Sequence, residues 1–156
     1  MQRMIVVLLV GLLAQPVAAS AQSSEADVMA VITRLFDGMR VGDSAMVRST
    51  FAPGARLMSA FERGGVPTLT GRTGSLDRFV TAVGTPHDEV WDEHIWGTEI
   101  RIDDRLATVW TNFAFHLGTE LRHCGVNAFQ LFHGNEGWKI INLVDTHRTE
   151  GCTSGE

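Results

Sequence analysis

The sequence VWDEHIWGTEIRIDDRLATVWTNFAFHLGTELRHCGVNAFQLFHGNEGWKIINLVDTH, from Val90 to His147, is the most informative part of this chain. Three turn signals divide it, namely Asp103-Asp104, Gly118-Thr119-Glu120 and Gly134-Asn135-Glu136-Gly137. The runs between them are rich in β-branched and aromatic residues, whereas Gly, Asn and Asp accept the backbone geometry of tight turns. Because turns about a dozen residues apart are typical of hairpins, the sequence predicts a four-stranded antiparallel meander.

The positions of the turns predict which side chains share a face of the sheet. If Asp103-Asp104 is a two-residue turn, Ile102 pairs with Arg105, and the register of the two strands follows from this pair. One face is then expected to carry Asp92, His94, Trp96, Phe113, His123, Asn127, Phe129, Trp138 and Asn142. The other is expected to carry Trp91, Glu93, Trp110, Asn112, His116, Cys124, Gln130, Ile141 and Asp145. Since both faces mix polar and apolar residues, we expect helices to cover one face and a partner to cover the other.

Residues 1–21 have the features of an export signal. Arg3 gives a positively charged start, and the apolar run from Met4 to Leu13 is too short to span a bilayer. Ala19-Ser20-Ala21 supplies the small residues of a cleavage site. Cleavage before Gln22 is favoured because no charged stop-transfer segment follows, and a retained anchor is the alternative. We therefore expect a periplasmic or extracellular protein that is free of the membrane after cleavage.

From the length of the sequence after residue 21 we predict a single domain over residues 22–150 and a tail over residues 151–156. Without Arg3, twelve of the thirteen Lys and Arg residues remain against eighteen Asp and Glu, a balance of minus six. This acidic balance argues against nucleic-acid binding, and the absence of a basic cluster in the sequence argues against binding to anionic lipid.

The chain has two cysteines, Cys124 and Cys152. An exported protein meets an oxidising compartment, where a pair of thiols tends to form a disulfide. In the predicted register His147 lies near Cys124, so a short tail can bring Cys152 back to it. We expect a Cys124–Cys152 disulfide, and two free thiols are the alternative.

Helices and a hairpin are predicted before the meander. Apolar residues at helical spacing predict a first helix over Glu25–Arg40, which Ser23 or Ser24 can cap. Asp43 is expected to cap a second helix that ends at Pro53-Gly54, and a third helix is expected to begin at Ser75. Residues 56–61 and 66–69 predict a hairpin, whose second strand is an edge strand because it contains Pro67.

This order of elements resembles the nuclear transport factor 2-like superfamily, and in particular its exported bacterial SnoaL-like and lumazine-binding members. The resemblance rests on Gly42-Asp43, His123-Cys124-Gly125, Phe129-Gln130-Leu131, Gly137-Trp138-Lys139-Ile140 and Asp145-Thr146-His147-Arg148. It implies an α+β fold, a cystatin-like roll in which a strongly curved antiparallel sheet wraps around the N-terminal helices as a cone. Superfamily members include ketosteroid isomerases, scytalone dehydratase and polyketide cyclases, and others only bind ligands or dimerise, so the fold does not specify the function.

The best acid/base arrangement in the sequence is Asp92 with His94, next to Trp96, and His116 is a further candidate. A buried carboxyl group has a raised pKa and can act as a base near neutral pH. The alternative is a solvated acidic rim, since Asp88, Glu89 and Glu93 are close in sequence. Residues expected to line a pocket are Trp96, Trp110, Phe113, His123, Asn127 and Phe129.

Three functions remain open on this evidence. The first is noncatalytic binding of a small apolar or aromatic ligand inside the cone, by a homodimer that associates through the sheet. The second is an isomerase, dehydratase or cyclase that uses a histidine–carboxylate pair. The third is a structural dimer with a filled cone. No cofactor is expected, and the histidine spacing does not predict a metal site.

Overall fold

The computed structural model describes residues 17–71 and 73–153. Its helices are α1 (Val17–Arg40), α2 (Ser44–Thr50) and α3 (Ser75–Gly84). Its strands are β1 (Phe51–Arg63), β2 (Val66–Leu69), β3 (Trp91–Asp103), β4 (Leu106–Leu117), β5 (Glu120–Gly134) and β6 (Gly137–Thr146). The charged start and apolar run of the expected export signal lie outside the described residues.

The six strands form one curved, open sheet in the order β2-β1-β6-β5-β4-β3. The α+β class and the four-stranded meander are confirmed. The sheet as a whole is mixed, because β1 runs parallel to β6. The hairpin turns of the meander set the directions of β3 to β6, but they contain no information about the direction of β1.

The first hairpin of the meander has a different register from the predicted one. Asp103 pairs with Leu106, so the turn residues are Asp104 and Arg105, and Asp104 has a positive φ of 48°. A bulge between Trp96 and Glu99 then shifts the register again. The changed turn shifts the register by two residues and leaves the facing unchanged. The bulge shifts it by one residue, which moves side chains to the other face, so the predicted facing of residues 91–96 is wrong.

The last hairpin begins as predicted, with His133 paired to Trp138. An irregularity between Gln130 and Leu131 then changes the register, and Asn127 pairs with Asp145 instead of Val144. Trp91, Glu93 and Asp145 therefore lie on the face that packs on the helices, together with Phe113, His123, Asn127 and Phe129. The predicted placement of Asn142 on this face is wrong as well, since Asn142 pairs with Gln130 on the opposite face.

The core lies between this concave face and α1. The predicted apolar stripe of α1 is confirmed as buried and consists of Val28, Ile32, Leu35, Phe36 and Met39. Phe36 packs edge-on against Phe129 of β5, with ring centroids 6.4 Å apart. Burial of one such side chain contributes roughly 1.5–3 kcal/mol, so this helix–sheet contact is a main source of stability.

The helix ends are confirmed in part. The Asp43 carboxylate accepts a hydrogen bond from the Met46 N–H at 2.8 Å and caps α2, as predicted. The expected start of the first helix at Ser23 or Ser24 is wrong, because α1 begins at Val17. The second helix also ends earlier than predicted, since Phe51 already belongs to β1. Of the described residues, none belongs to a helix that is both long and apolar enough to cross a bilayer.

Candidate functional site

Polar side chains cross the concave face of the sheet as a row, which we call the polar row: Glu93, Asn127, Asp145 and Ser59. Asn127 pairs directly with Asp145, and Asp145 pairs with Ser59. Along the chain, Asp145 lies two residues after Leu143 of the core and two residues before His147, which follows the end of β6. The polar row therefore borders the apolar core, at the end of the sheet where β6 finishes.

Glu93 and Asn127 are the two members of the polar row joined by a short hydrogen bond. The Asn127 side-chain N–H donates to Oε1 of Glu93 at 2.6 Å, across the intervening strand β4. Strands two positions apart in a sheet are separated by about 9.5 Å, so both side chains lean over β4 on the same face to make this contact. Asn127 is 3% exposed, whereas Glu93 is half-buried.

The carboxyl groups of the polar row are shifted towards their uncharged forms. Burial raises the pKa of Glu93 to about 8, and the nearby Asp145 carboxylate adds to the shift. Burial also raises the pKa of Asp145, although Ser59 and His147 oppose this shift. In the described part of the chain, Oδ1 of Asp145 is buried without a hydrogen-bond partner. The row is thus rich in hydrogen-bonding groups, and its Glu93 carboxyl group is uncharged at neutral pH.

A second row, which we call the aromatic row, runs beside the polar row at the end of the cone. Its members are Phe61, His147, His123, Phe115, Trp91 and His87. Successive ring centroids are 3.9 to 6.0 Å apart, and His123 and His147 are stacked with an angle of 12° between their planes. Burial lowers the pKa of His123 to about 4, with His147 and Arg122 contributing, so the His123 ring is neutral at physiological pH.

The structure places the predicted catalytic residues elsewhere. Asp92, His94 and His116 lie on the outer face, where Asp92 pairs with His116. The His94 ring contacts Asp92 at 2.7 Å and lies 5.0 Å from the His116 ring. The predicted separation of His116 from Asp92 on opposite faces is therefore wrong. Burial alone would raise the pKa of Asp92, but hydrogen bonds from His94 and Arg40 outweigh it and lower the pKa.

The predicted pocket residues divide into three groups. Trp96 and Trp110 lie on the outer face, and Trp110 is 53% exposed. Phe113 and Phe129 are each 1% exposed within the core. His123 and Asn127 belong to the two rows on the concave face. Sequence reasoning did not bring Glu93 and Asp145 onto this face, because their facing depends on register shifts in the first and the last hairpin.

Five surface clefts in the described part of the chain have volumes of about 330 to 560 Å³. The one of about 560 Å³ is lined by Phe61 and His147 of the aromatic row. Glu93 and Asn127 line none of these five clefts. The cleft of about 330 Å³ is lined by His87, so open volume reaches both ends of the aromatic row. Among residues 17–71 and 73–153, no group of three or more His, Cys, Asp or Glu is arranged to hold a metal ion.

Known structures share this architecture at low sequence identity. An NTF2-like protein with a cystatin-like fold from Novosphingobium aromaticivorans superposes with a TM-score of 0.67 at 8% identity, over 88% of this chain and 89% of that one. The chain has the nuclear transport factor 2-like (NTF2-like) fold. A protein described as a "putative dehydratase" of the NTF2-like family, from Streptomyces avermitilis, has a TM-score of 0.61 at 13% identity over 82% of this chain and 98% of that one.

A third NTF2-like match is the β subunit of a "putative aromatic-ring-hydroxylating dioxygenase" from N. aromaticivorans. It has a TM-score of 0.67 at 10% identity, over 86% of this chain and 95% of that one. No protein-family model matches the sequence, and no curated protein matches it. Because proteins with the NTF2-like fold differ widely in activity, the function of this chain has to be argued from its own two rows.

Proposed function

We propose that this protein binds a small, uncharged ligand with an aromatic or similar apolar ring, between the aromatic row and the core of its NTF2-like cone. The observation that supports this most is the polar row itself. A buried amide and two carboxyl groups with raised pKa lie next to stacked rings, and the buried Asp145 Oδ1 has no partner among the described residues. Buried polar atoms are nearly always hydrogen-bonded in folded proteins, so this oxygen is suited to contact a ligand.

The charge of the site favours an uncharged ligand over an anion. An anion would meet Glu93 and Asp145, and no cation of the chain is paired with either carboxylate by an ion pair in the described part of the structure. A protonated Glu93 can donate one hydrogen bond to a ligand carbonyl oxygen while its other oxygen accepts from Asn127. A compact aryl ketone combines such a carbonyl with a ring that can lie on the aromatic row.

Acetophenone and benzoate form a matched pair of probes for this proposal, because they have nearly the same shape and differ in charge. We expect acetophenone to bind at least about tenfold more tightly than benzoate at pH 6.5, a difference of about 1.4 kcal/mol. Binding should weaken above pH 8 as Glu93 ionises. Titration followed by NMR shifts of the Phe115 and His123 rings would measure both affinities.

The matched control is Glu93→Gln against Glu99→Gln, because both residues lie on β3 but Glu99 is exposed. Gln keeps an oxygen for the Asn127 hydrogen bond but does not ionise, so the pH dependence of binding above pH 8 should disappear in Glu93→Gln and persist in Glu99→Gln. Equal affinity for acetophenone and benzoate, or shifts confined to the outer face, would refute the proposal.

A second candidate function is proton transfer at a carbon next to a carbonyl group, as in an isomerase or dehydratase. A carboxyl group with a pKa of about 8 is suited to general acid–base chemistry near neutral pH, and one structural neighbour is described as a "putative dehydratase". If Glu93 or Asp145 removes such a proton, the protein will accelerate exchange of the acetophenone methyl protons in D₂O. A wild-type exchange rate equal to the buffer rate would leave binding as the function.

We also propose that the protein acts outside the cytoplasm and as a homodimer. The signal-like residues 1–21 and the Cys124–Cys152 disulfide support export. The exposed Trp110 on the outer sheet face supports association of two copies there. N-terminal sequencing of exported protein, with Gln22 as the expected first residue, and light scattering of the purified protein would test these two proposals.

A further inference from the structure

The chain after β6 returns across the end of the sheet as a strap, residues 147–152. The Arg148 N–H donates to the Cys124 carbonyl and the Cys124 N–H donates to the Arg148 carbonyl, both at 2.9 Å. On the other side, the His147 N–H donates to the Ala60 carbonyl at 3.2 Å. The strap ends at a disulfide between Cys152 and Cys124, whose Cα atoms are 5.6 Å apart. It is thus held between β1 and β5.

The strap contributes one ring to the aromatic row. His147 lies on His123 with ring centroids 3.9 Å apart, and its other side faces Phe61 at 6.0 Å. His147 also lowers the pKa of Asp145 by its charge, so the two side chains are close. The residues of the strap from His147 to Gly151 are exposed, whereas His123 beneath it is half-buried. The strap therefore separates the end of the polar row and His123 from solvent.

We propose that the strap is a disulfide-latched wall of the ligand site, and that thiol–disulfide exchange loosens it and so speeds the entry and release of the ligand. This inference rests on the proposed binding function. A cleft of about 560 Å³ lies next to Phe61 and the strap, at the end of the aromatic row where His147 covers His123. Apart from the disulfide, the strap is held by two hydrogen bonds with Cys124, one from His147 to Ala60, and the stacking of His147 on His123. These contacts lie outside the ladder of the sheet, so the segment can detach after the disulfide breaks without unfolding the sheet.

The exchange requires a dithiol reductant. Cys124 is 2% exposed and Cys152 is half-buried, so a thiolate of the reductant attacks Sγ of Cys152 and the S–S bond breaks. The Cys124 sulfur leaves as a thiolate and takes up a proton. The second thiol of the reductant then displaces the Cys152 sulfur, which is protonated in turn. The protein gains two electrons and two protons, and the reductant becomes a cyclic disulfide.

Histidine labelling with diethyl pyrocarbonate, read residue by residue by mass spectrometry, tests this proposal together with amide hydrogen exchange. In Cys152→Ser, and in protein reduced with dithiothreitol and then freed of it, we expect the labelling rate of His123 to rise at least fivefold. Exchange of the Cys124 and Arg148 amides should accelerate at least tenfold. His133, at the other end of β5 beside Trp138, is the internal control and should label at the same rate in all forms.

His147→Ala separates shielding by the ring from detachment of the strap and does not depend on opening the disulfide. It should increase His123 labelling while the Cys124 amide stays protected. The proposal is overturned if His123 labels equally fast in the oxidised protein and in Cys152→Ser, or if its labelling is unchanged in His147→Ala. Failure of acetophenone to bind any form would count against the proposed function alone, because the labelling contrast does not require a ligand.

Discussion

Asp92 and Glu93 are adjacent carboxylic acids that the fold places in opposite environments. Asp92 lies on the outer face, where Arg40 Nε donates to it at 2.9 Å and its pKa is lowered. Glu93 points to the concave face, where burial raises its pKa to about 8. At Asp92 the hydrogen bonds from His94 and Arg40 stabilise the ionised form, whereas at Glu93 desolvation favours the neutral form. Two adjacent carboxyl groups are thus given different charge states by the face on which each one lies.

The raised pKa of Glu93 predicts a specific dependence of stability on pH. The folded state holds a proton that the unfolded chain releases near pH 4.5, so the contribution of Glu93 is intact below that pH and is lost as pH rises through about 8. Glu93→Gln should therefore be more stable than the wild type at pH 9, by on the order of 3–5 kcal/mol, and similar to it near pH 4.5. Urea unfolding at several pH values would measure this.

Glu99→Gln, on the same strand, provides the control and should leave the pH profile unchanged. His123 has the opposite effect on the pH dependence of stability. Its pKa is lowered to about 4, so its contribution to the free energy of unfolding is lost as the pH falls from 6.5 through 4. Parallel pH profiles for the wild type and Glu93→Gln would show that the Glu93 carboxyl group is ionised in the folded protein at neutral pH.

At the scale of elements, β5 is the strand on which both rows and the strap meet. It carries Asn127, His123 and Cys124, and its residue Gly125 lies directly under the end of β6. A Cβ atom at Gly125 would lie 1.9 Å from the Thr146 carbonyl oxygen. In the sequence His123-Cys124-Gly125, the histidine is part of the aromatic row, the cysteine forms the disulfide and the glycine allows the close backbone contact. Each of these roles requires a different residue type.

Gly125→Ala should destabilise the protein strongly, because a backbone oxygen would have to move. Overpacking typically costs about 1–3 kcal/mol and occasionally more, and we expect about 3 kcal/mol or more here. The control is Gly134→Ala on the same strand, where the nearest atom is Phe132 Cε1 at 3.2 Å and the Phe132 side chain is 45% exposed and able to move. Denaturant unfolding should show a cost below about 1 kcal/mol for the control. Equal costs would contradict the close contact.

At the scale of the whole molecule, the site is assembled from parts far apart in the chain. The polar row uses β1, β3, β5 and β6, and the aromatic row adds β4, the strap and His87 of the segment between α3 and β3. Only the curvature of the sheet brings Glu93 of the edge strand to Asn127 two strands away. The disulfide closes this arrangement by tying the tail to β5 across 28 residues.

Reduction of the disulfide should lower the melting temperature. Opening a loop of this length removes about 3–4 kcal/mol on the chain-entropy model, which corresponds to roughly 10 °C for a domain of this size. Calorimetry with and without reductant would measure the change. Cys152→Ser should melt at the lower temperature without reductant and show no further decrease with it. Two free thiols in the native, unreduced protein would refute the disulfide.

The meander, the α1 stripe, the Asp43 cap, the edge strand β2 and the Cys124–Cys152 pair were predictable from sequence. Each depends on local chemistry, namely apolar periodicity, turn residues, a capping side chain or a proline. The disulfide depends on two cysteines, one on a strand and the other on the short tail after the last strand. Such features are encoded within a few residues and need no knowledge of the rest of the fold. The NTF2-like architecture was therefore accessible from the order of elements.

The candidate site was not accessible in this way. Its members depend on the bulge near Gly97 and the irregularity beside Leu131, and each of these shifts the register by one residue and so exchanges the two faces of a strand. No local signal distinguishes Glu93 from Asp92 before the register is known. Sequence patterns specify elements, because elements depend on neighbours in the chain. The folded sheet specifies the site, because the environment of a side chain depends on which residues lie across the strands from it.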